Sequence, residues 1–277
     1  MELTKLESAN VILKEWLKYY INFHNFPSIA IGLINGSTKS SFVFGNYNKN
    51  RKIKADNNSI YSLGSITKIK TVIDLLKLEE DNLINLDESV NKILPYFPNK
   101  KITINQLVTH TAGLPRDGKF NFWLNKTFPN ELEFQDYIKN IKLEAINEYK
   151  YSNLGYVLLG EILKQFNDQM SSNYENVIGY GSKFPGFQEE YNYINIGIFK
   201  PAFGLHMSIE QSITFTQQIK ERDLSILSSK SWDKFYGVQV EQEGDEDDIC
   251  FPIYKWKENK VYDYSGHSFG FESYMLI

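Results

Sequence analysis

The feature that most narrows the fold is strand-like text at both ends of a 277-residue chain whose middle reads as helix. After Pro27 the apolar run Ser28-Ile-Ala-Ile-Gly-Leu-Ile34 is followed by Asn35-Gly36 and then by Ser40-Ser-Phe-Val-Phe-Gly45. Asn-Gly between two such runs predicts a hairpin turning at that pair, since both residues tolerate the positive φ of tight hairpin turns. Towards the other end, residues 238–240, 251–254 and 271–277 also read as strands. Between about 65 and 165 the apolar spacing is mostly helical, and Leu6, Ala9, Leu13, Trp16, Leu17 and Tyr20 predict a further helix over about 5–24. Strands so far apart in the chain bury their apolar faces only by meeting in space. The pattern therefore predicts an α/β fold, an antiparallel sheet flanked by helices with an inserted, mostly helical lobe. We expect a single domain over 1–277, with a sheet lobe of about 1–60 plus 205–277 and a helical lobe of about 61–204.

The stretch Tyr61-Ser-Leu-Gly-Ser65-Ile-Thr-Lys68-Ile-Lys-Thr71-Val-Ile-Asp-Leu-Leu-Lys77 carries the chemistry. Ile66, Ile69, Ile73 and Leu76 give it a helical stripe, and Gly64-Ser65 suits a turn into the helix start. Ser65 and Lys68, three residues apart, emerge on one face. A lysine kept neutral there can take the proton of a serine that is otherwise a weak nucleophile. The spacing alone is weak evidence, because Ser89-Val-Asn-Lys92 and Ser231-Trp-Asp-Lys234 repeat it.

Composition removes several alternatives. A net charge of −4 without a long Lys/Arg cluster argues against nucleic acid as a partner. One cysteine forms no intrachain disulfide, and four scattered histidines lack metal-ligand spacing, so no cofactor or metal is expected. No apolar run reaches the length of a membrane span. The first residues do not read as an export leader, so a cytoplasmic location is expected.

Three further segments give Ser65 its context. Ser65-Ile-Thr-Lys68, Tyr151-Ser-Asn153 and Gly266-His267-Ser268 occur in the order of the three motifs of the serine β-lactamase and penicillin-binding protein superfamily, which the chain resembles. The connecting text resembles the class C-like branch, with its esterases and D-aminopeptidases: Leu83-x-x-Leu86-Asp87-x-x-Val90-x-x-x-Leu94-Pro95, Ile102-Thr-Ile-x-x-Leu107-x-x-His110-Thr-x-Gly113-Leu114, and Tyr151 through Gly160. The resemblance implies Ser65 as acyl-forming nucleophile, Lys68 as its proton partner, and Tyr151 as a base whose phenolate nearby positive charge favours. It implies Asn153 as a contact for a substrate amide, and His267, Ser268 and Gly270 as the substrate-binding strand and turn. Backbone N–H groups of Ser65 and of Phe269 or Gly270 would receive the oxyanion. His110 is expected to be structural.

The sequence departs from that branch where Phe269 replaces a small residue and the third motif is shortened. Relatives also continue beyond the position of Ile277 into a further strand and helix. The resemblance thus implies an uncovered sheet edge, which a second copy of the chain would cover. Two functions follow: a serine hydrolase or acyltransferase acting on a small ester or amide, or a catalytically impaired relative that binds a ligand or protein partner.

Overall fold

The structure is a computed structural model that describes residues 5–48, 52–166, 179–184, 187–191, 194–242 and 247–277. In chain order its first elements are α1 (Lys5–His24), β1 (Ser28–Asn35), β2 (Thr38–Asn48), β3 (Ile53–Lys54) and β4 (Tyr61–Ser62). A 3₁₀ turn (Gly64–Ile66) then leads into α2 (Thr67–Glu80). The helical middle comprises α3 (Val90–Ile93), α4 (Ile104–Val108), α5 (Phe122–Asn125), α6 (Glu131–Lys139) and α7 (Asn153–Phe166). There follow β5 (Gly179–Phe184), β6 (Phe187–Tyr191), a second 3₁₀ turn (Gly197–Phe199), α8 (Lys200–Phe203), β7 (His206–Met207), α9 (Ile209–Lys220) and α10 (Ser229–Tyr236). The last strands are β8 (Asp247–Ile249), β9 (Tyr254–Trp256), β10 (Tyr262–Ser268) and β11 (Phe271–Leu276). The fold is the expected mixture of antiparallel sheets and helices. Among the described residues, no helix is long and apolar enough to cross a membrane.

Chain contacts group into two compact units. The first comprises residues 1–62, 174–193 and 206–221. In it β1, β2 and β3 form an antiparallel sheet, with α1 packed on β1 and β2 and α9 on the same pair. The hairpin turns one residue later than expected. Asn35 pairs with Thr38, so Gly36 and Ser37 make the turn, and Gly36 supplies the positive φ at its first position. α1 spans the expected range, but its apolar residues do not form one buried stripe: Leu17 is buried, whereas Trp16 is 50% exposed and stacks on Tyr20. The stretch near 180–190, which reads as irregular, pairs as the β5–β6 hairpin.

The second unit comprises residues 63–173, 194–205 and 222–277. The C-terminal strands thus belong with the helices and not with residues 1–60, because β10 packs against the Gly64–Ile66 turn and α8. These strands form a sheet of order β11-β10-β9-β8, in which β11 is an edge. Of the expected strands, 271–277 forms almost whole. Val240 contributes a single bridge, and residues 251–253 lie between β8 and β9, where Pro252 has no N–H for a ladder. Much of the acidic run 241–248, which reads as a solvated turn, lies outside the described residues. Local signals fix the helix starts: Thr103 with Gln106 and Asn130 with Glu133 form capping boxes on α4 and α6. The core of this unit gathers Ile69, Val72 and Leu76 of α2, Leu154, Val157 and Leu158 of α7, Phe199 and Phe203, all buried.

Candidate active site

All the site residues named from the sequence fall in the second unit. The turn that carries Ser65 is pinned on several sides. Leu63 N–H donates to Leu205 O at 2.9 Å, Thr67 Oγ1 donates to Gly64 O at 2.6 Å, and Leu205 N–H donates to Thr67 Oγ1 at 2.8 Å. Ser65 does not cap α2; its hydroxyl is turned to other side chains. Two glycines let β10 lie against this turn. A Cβ on Gly64, whose φ is +50°, would sit 2.6 Å from the backbone N of His267, and one on Gly266 would sit 2.0 Å from Leu63 O. Only a residue without a side chain permits such an approach.

Two groups meet at the Ser65 hydroxyl. Its Oγ lies 2.7 Å from the hydroxyl of Tyr151 and 3.2 Å from Nζ of Lys68. Lys68 is fully buried, and its Nζ also lies 2.9 Å from Asn153 Oδ1 and 2.7 Å from the backbone carbonyl of Ala202. The aromatic faces of Tyr151 and Tyr156 stand 5.0 and 5.2 Å from the same nitrogen. Burial, reinforced by the Arg116 charge and opposed by Asp117, holds the Lys68 amine well below the ordinary lysine range. The dominant cause is loss of water.

Tyr151 precedes α7, and its neighbours fix it. Ser152 N–H donates to Nδ1 of His110 at 3.0 Å, and Ser152 Oγ donates to Pro115 O at 2.8 Å. The His110 ring stacks on Tyr151, 4.4 Å between centroids. His110 is buried, and burial together with Lys68 and Arg116 pushes its imidazole well below its usual range. A neutral ring can accept that backbone N–H at Nδ1, which places the proton on the buried Nε2. For Tyr151 burial outweighs the bond to Ser65 and the nearby Arg116, whose guanidinium stands 5.0 Å from the ring, so the phenol is pushed up to about 12. The phenolate expected from the sequence is disfavoured here.

Asn153 opens α7 and is only 1% exposed. Its Nδ2 donates to Asp117 Oδ1 at 2.7 Å, its backbone N–H to Arg116 O at 2.8 Å, and Asp117 Oδ2 accepts from Trp123 Nε1 at 3.0 Å. His267 is placed otherwise. Its side chain is 65% exposed, with Nδ1 3.7 Å from Glu272 Oε1 and the ring 5.8 Å from Trp123. Among the described residues no hydrogen bond joins it to Ser65, Lys68 or Tyr151. Ser268 is buried and pairs with Phe271, so Phe269 and Gly270 form a two-residue turn, Gly270 with φ +75°. Phe269 packs on Trp123, 5.1 Å between centroids. The structure thus brings Ser65, Lys68, Tyr151 and Asn153 together and leaves the His267 ring outside their hydrogen bonds. Arg116, Asp117 and the Ala202 carbonyl are additional participants. The charged pair directly after Gly113-Leu-Pro115 was a visible signal for the first two, while a backbone carbonyl leaves none.

The sequence profile of the family described as Beta-lactamase matches residues 14–173. Penicillin-binding protein 4* of Bacillus subtilis (strain 168) is 30% identical over 149 residues, covering 51% of this chain and 33% of that protein. Protein flp of Staphylococcus aureus (strain NCTC 8325 / PS 47) is 28% identical over 159 residues, covering 54% and 32%. These matches span about a third of the length of the curated relatives. A class C β-lactamase superposes with a TM-score of 0.83 at 14% identity over 100% of this chain and 89% of that one. An octameric penicillin-binding protein homologue from Pyrococcus abyssi gives 0.82 at 19% identity, over 95% and 69%. At these identities the structural likeness is one of fold.

Proposed function

The chain belongs to the Beta-lactamase family of serine hydrolases, and from that premise we propose that it cleaves or transfers the acyl group of a small ester or amide through an acyl-enzyme on Ser65. The observation that carries this reading is the set of partners around the Lys68 amine. A neutral amine has two N–H donors and one lone pair. The Asn153 amide oxygen and the Ala202 carbonyl can only accept, so they take the two donors. The lone pair is left for the Ser65 hydroxyl.

In the proposed sequence Ser65 gives its proton to Lys68 Nζ while Oγ bonds to the substrate carbonyl carbon. The oxyanion meets the backbone N–H of Ser65 and one from the Phe269–Gly270 turn. The bond to the leaving group then breaks, and that group takes the proton of Tyr151, which the proton held on Lys68 replaces. A phenol pushed up to about 12 serves better as a proton donor here than as a base. Water, or a second nucleophile in acyl transfer, releases the acyl group. Ser268 and Gly270 line the substrate strand and turn, and exposed His267 contributes a rim contact.

The test is mass spectrometry after incubation with a fluorophosphonate: one adduct on Ser65, absent in Ser65→Ala. The exposure of His267 favours a second reading, a relative that binds a ligand without turnover. A folded protein that takes up no adduct would support it. The octameric penicillin-binding protein homologue from Pyrococcus abyssi supports self-association as the partner reading; light scattering at the monomer mass would count against it.

A further inference from the structure

The polar chain that runs from Lys68 through Asn153 ends on Asp117, a residue with no role in the mechanism above. A carboxylate offers only acceptors, so the Asn153 atom facing Asp117 at 2.7 Å is the amide nitrogen, and the oxygen is forced towards Lys68. The other Asp117 oxygen is held by the Trp123 indole at 3.0 Å, and the Arg116 Nε lies 3.6 Å from it. The carboxylate is therefore itself oriented. Asn153 is 1% exposed, so a substrate carbonyl has no path to its N–H groups.

We propose that Asp117 is a positioning residue: it fixes the Asn153 amide with its oxygen on Lys68 and withdraws its N–H groups from substrate, so that the site takes acyl donors without an amide beside the scissile carbonyl, plain esters in preference to acylamino substrates. The proposal rests on the acyl-enzyme reading of Ser65. A reversed amide would present N–H groups to Lys68 and occupy the lone pair that Ser65 needs. The titratable and charged groups around Lys68 are Arg116, Asp117, His110, Tyr151 and Tyr156. Of these, Asp117 favours the protonated amine. Losing Asp117 therefore slows acylation while moving the pH at which Lys68 becomes competent downwards. A merely structural loss lowers the active fraction and leaves that pH unmoved.

The experiment measures fluorophosphonate labelling rate against pH for the wild type, Asp117→Ala, Asp117→Glu and Trp123→Phe. For Asp117→Ala a rate about tenfold to a hundredfold lower is expected, with the rising limb at lower pH. Asp117→Glu recovers part of the rate, and Trp123→Phe keeps the wild-type midpoint. A limb in Asp117→Ala that stays in place or moves up overturns the proposal. Should that variant fail to fold, the wild type alone decides, by kcat/KM for p-nitrophenyl butyrate against the p-nitrophenyl ester of N-acetylglycine. The butyrate should have the higher kcat/KM; a kcat/KM for the acylamino ester equal to or above that of the butyrate overturns the proposal. Absence of wild-type labelling at Ser65 would instead overturn the acyl-enzyme reading itself.

Discussion

Two Ser-x-x-Lys turns sit in the same compact unit and behave differently. At the start of α2, Lys68 is wholly buried among an amide oxygen, a backbone carbonyl and a serine hydroxyl. In α10, Ser231 N–H donates to Ser228 Oγ, and Lys234, 29% exposed, ends 2.8 Å from a carboxylate oxygen of Glu79. The third occurrence is more superficial still: Ser89 caps α3, and Lys92 pairs with Glu88 in solvent. Spacing is common to all three. What separates them is whether the amine finds neutral acceptors in a dry site or a carboxylate near water, and only the first arrangement disfavours the charged amine.

The comparison breaks most sharply at the lysines themselves. Lys68→Met should slow fluorophosphonate labelling on the order of 10²–10⁴-fold, the usual contribution of a positioned base, while Lys234→Met labels at the wild-type rate. Equal rates in the two variants would end the distinction. Next in size is Asn153→Asp, which gives Lys68 the kind of partner that Lys234 has. A carboxylate at that distance favours the protonated amine, so the rising limb of labelling should move up by roughly 1–3 pH units.

A smaller shift is expected of Arg116→Gln. Arg116 is the second cause of the lowered Lys68 value, and its side chain is 63% exposed. The limb should rise by a fraction of a pH unit, less at high salt. No falling limb is expected below about 12, where Tyr151 loses its proton. Stability has the same origin. Folded Lys68 binds fewer protons than the unfolded lysine between its lowered value and ~10.4, so stability rises with pH across that window and is lost as pH falls through the folded value. Lys68→Met should flatten that slope in urea titrations. Smallest of all, Lys234→Met removes one partly exposed ion pair and should cost at most about 1 kcal/mol in the same titrations.

Much of this was legible in the chain. The long helix over 5–24, the hairpin that follows it and the mostly helical text after Ser65 follow from periodicity and turn residues, though β2 runs three residues beyond Gly45 and α4 stops at Val108, well short of Gly113. The hairpin turn shifted by one because Gly36 at the first turn position decides the turn type, whatever Asn35 prefers. The grouping of 222–277 with the helices could not be read, since it depends on two glycines letting β10 approach the Gly64–Ile66 turn. Ser65, Lys68, Tyr151 and Asn153 were found through motif order. Asp117 and the Ala202 carbonyl were not, because neither belongs to a motif.

The sequence by itself determined the elements and which residue types could serve a serine nucleophile, because helix periodicity and turn chemistry are local properties. Only the tertiary structure decided which of three equivalent Ser-x-x-Lys turns is dry, that burial disfavours the Tyr151 phenolate, and that Asn153 bridges Lys68 and Asp117. Desolvation and hydrogen-bond partnership are set by groups far apart in the chain: Ala202 lies 134 residues from Lys68, and Asn153 lies 85. No local pattern encodes those distances.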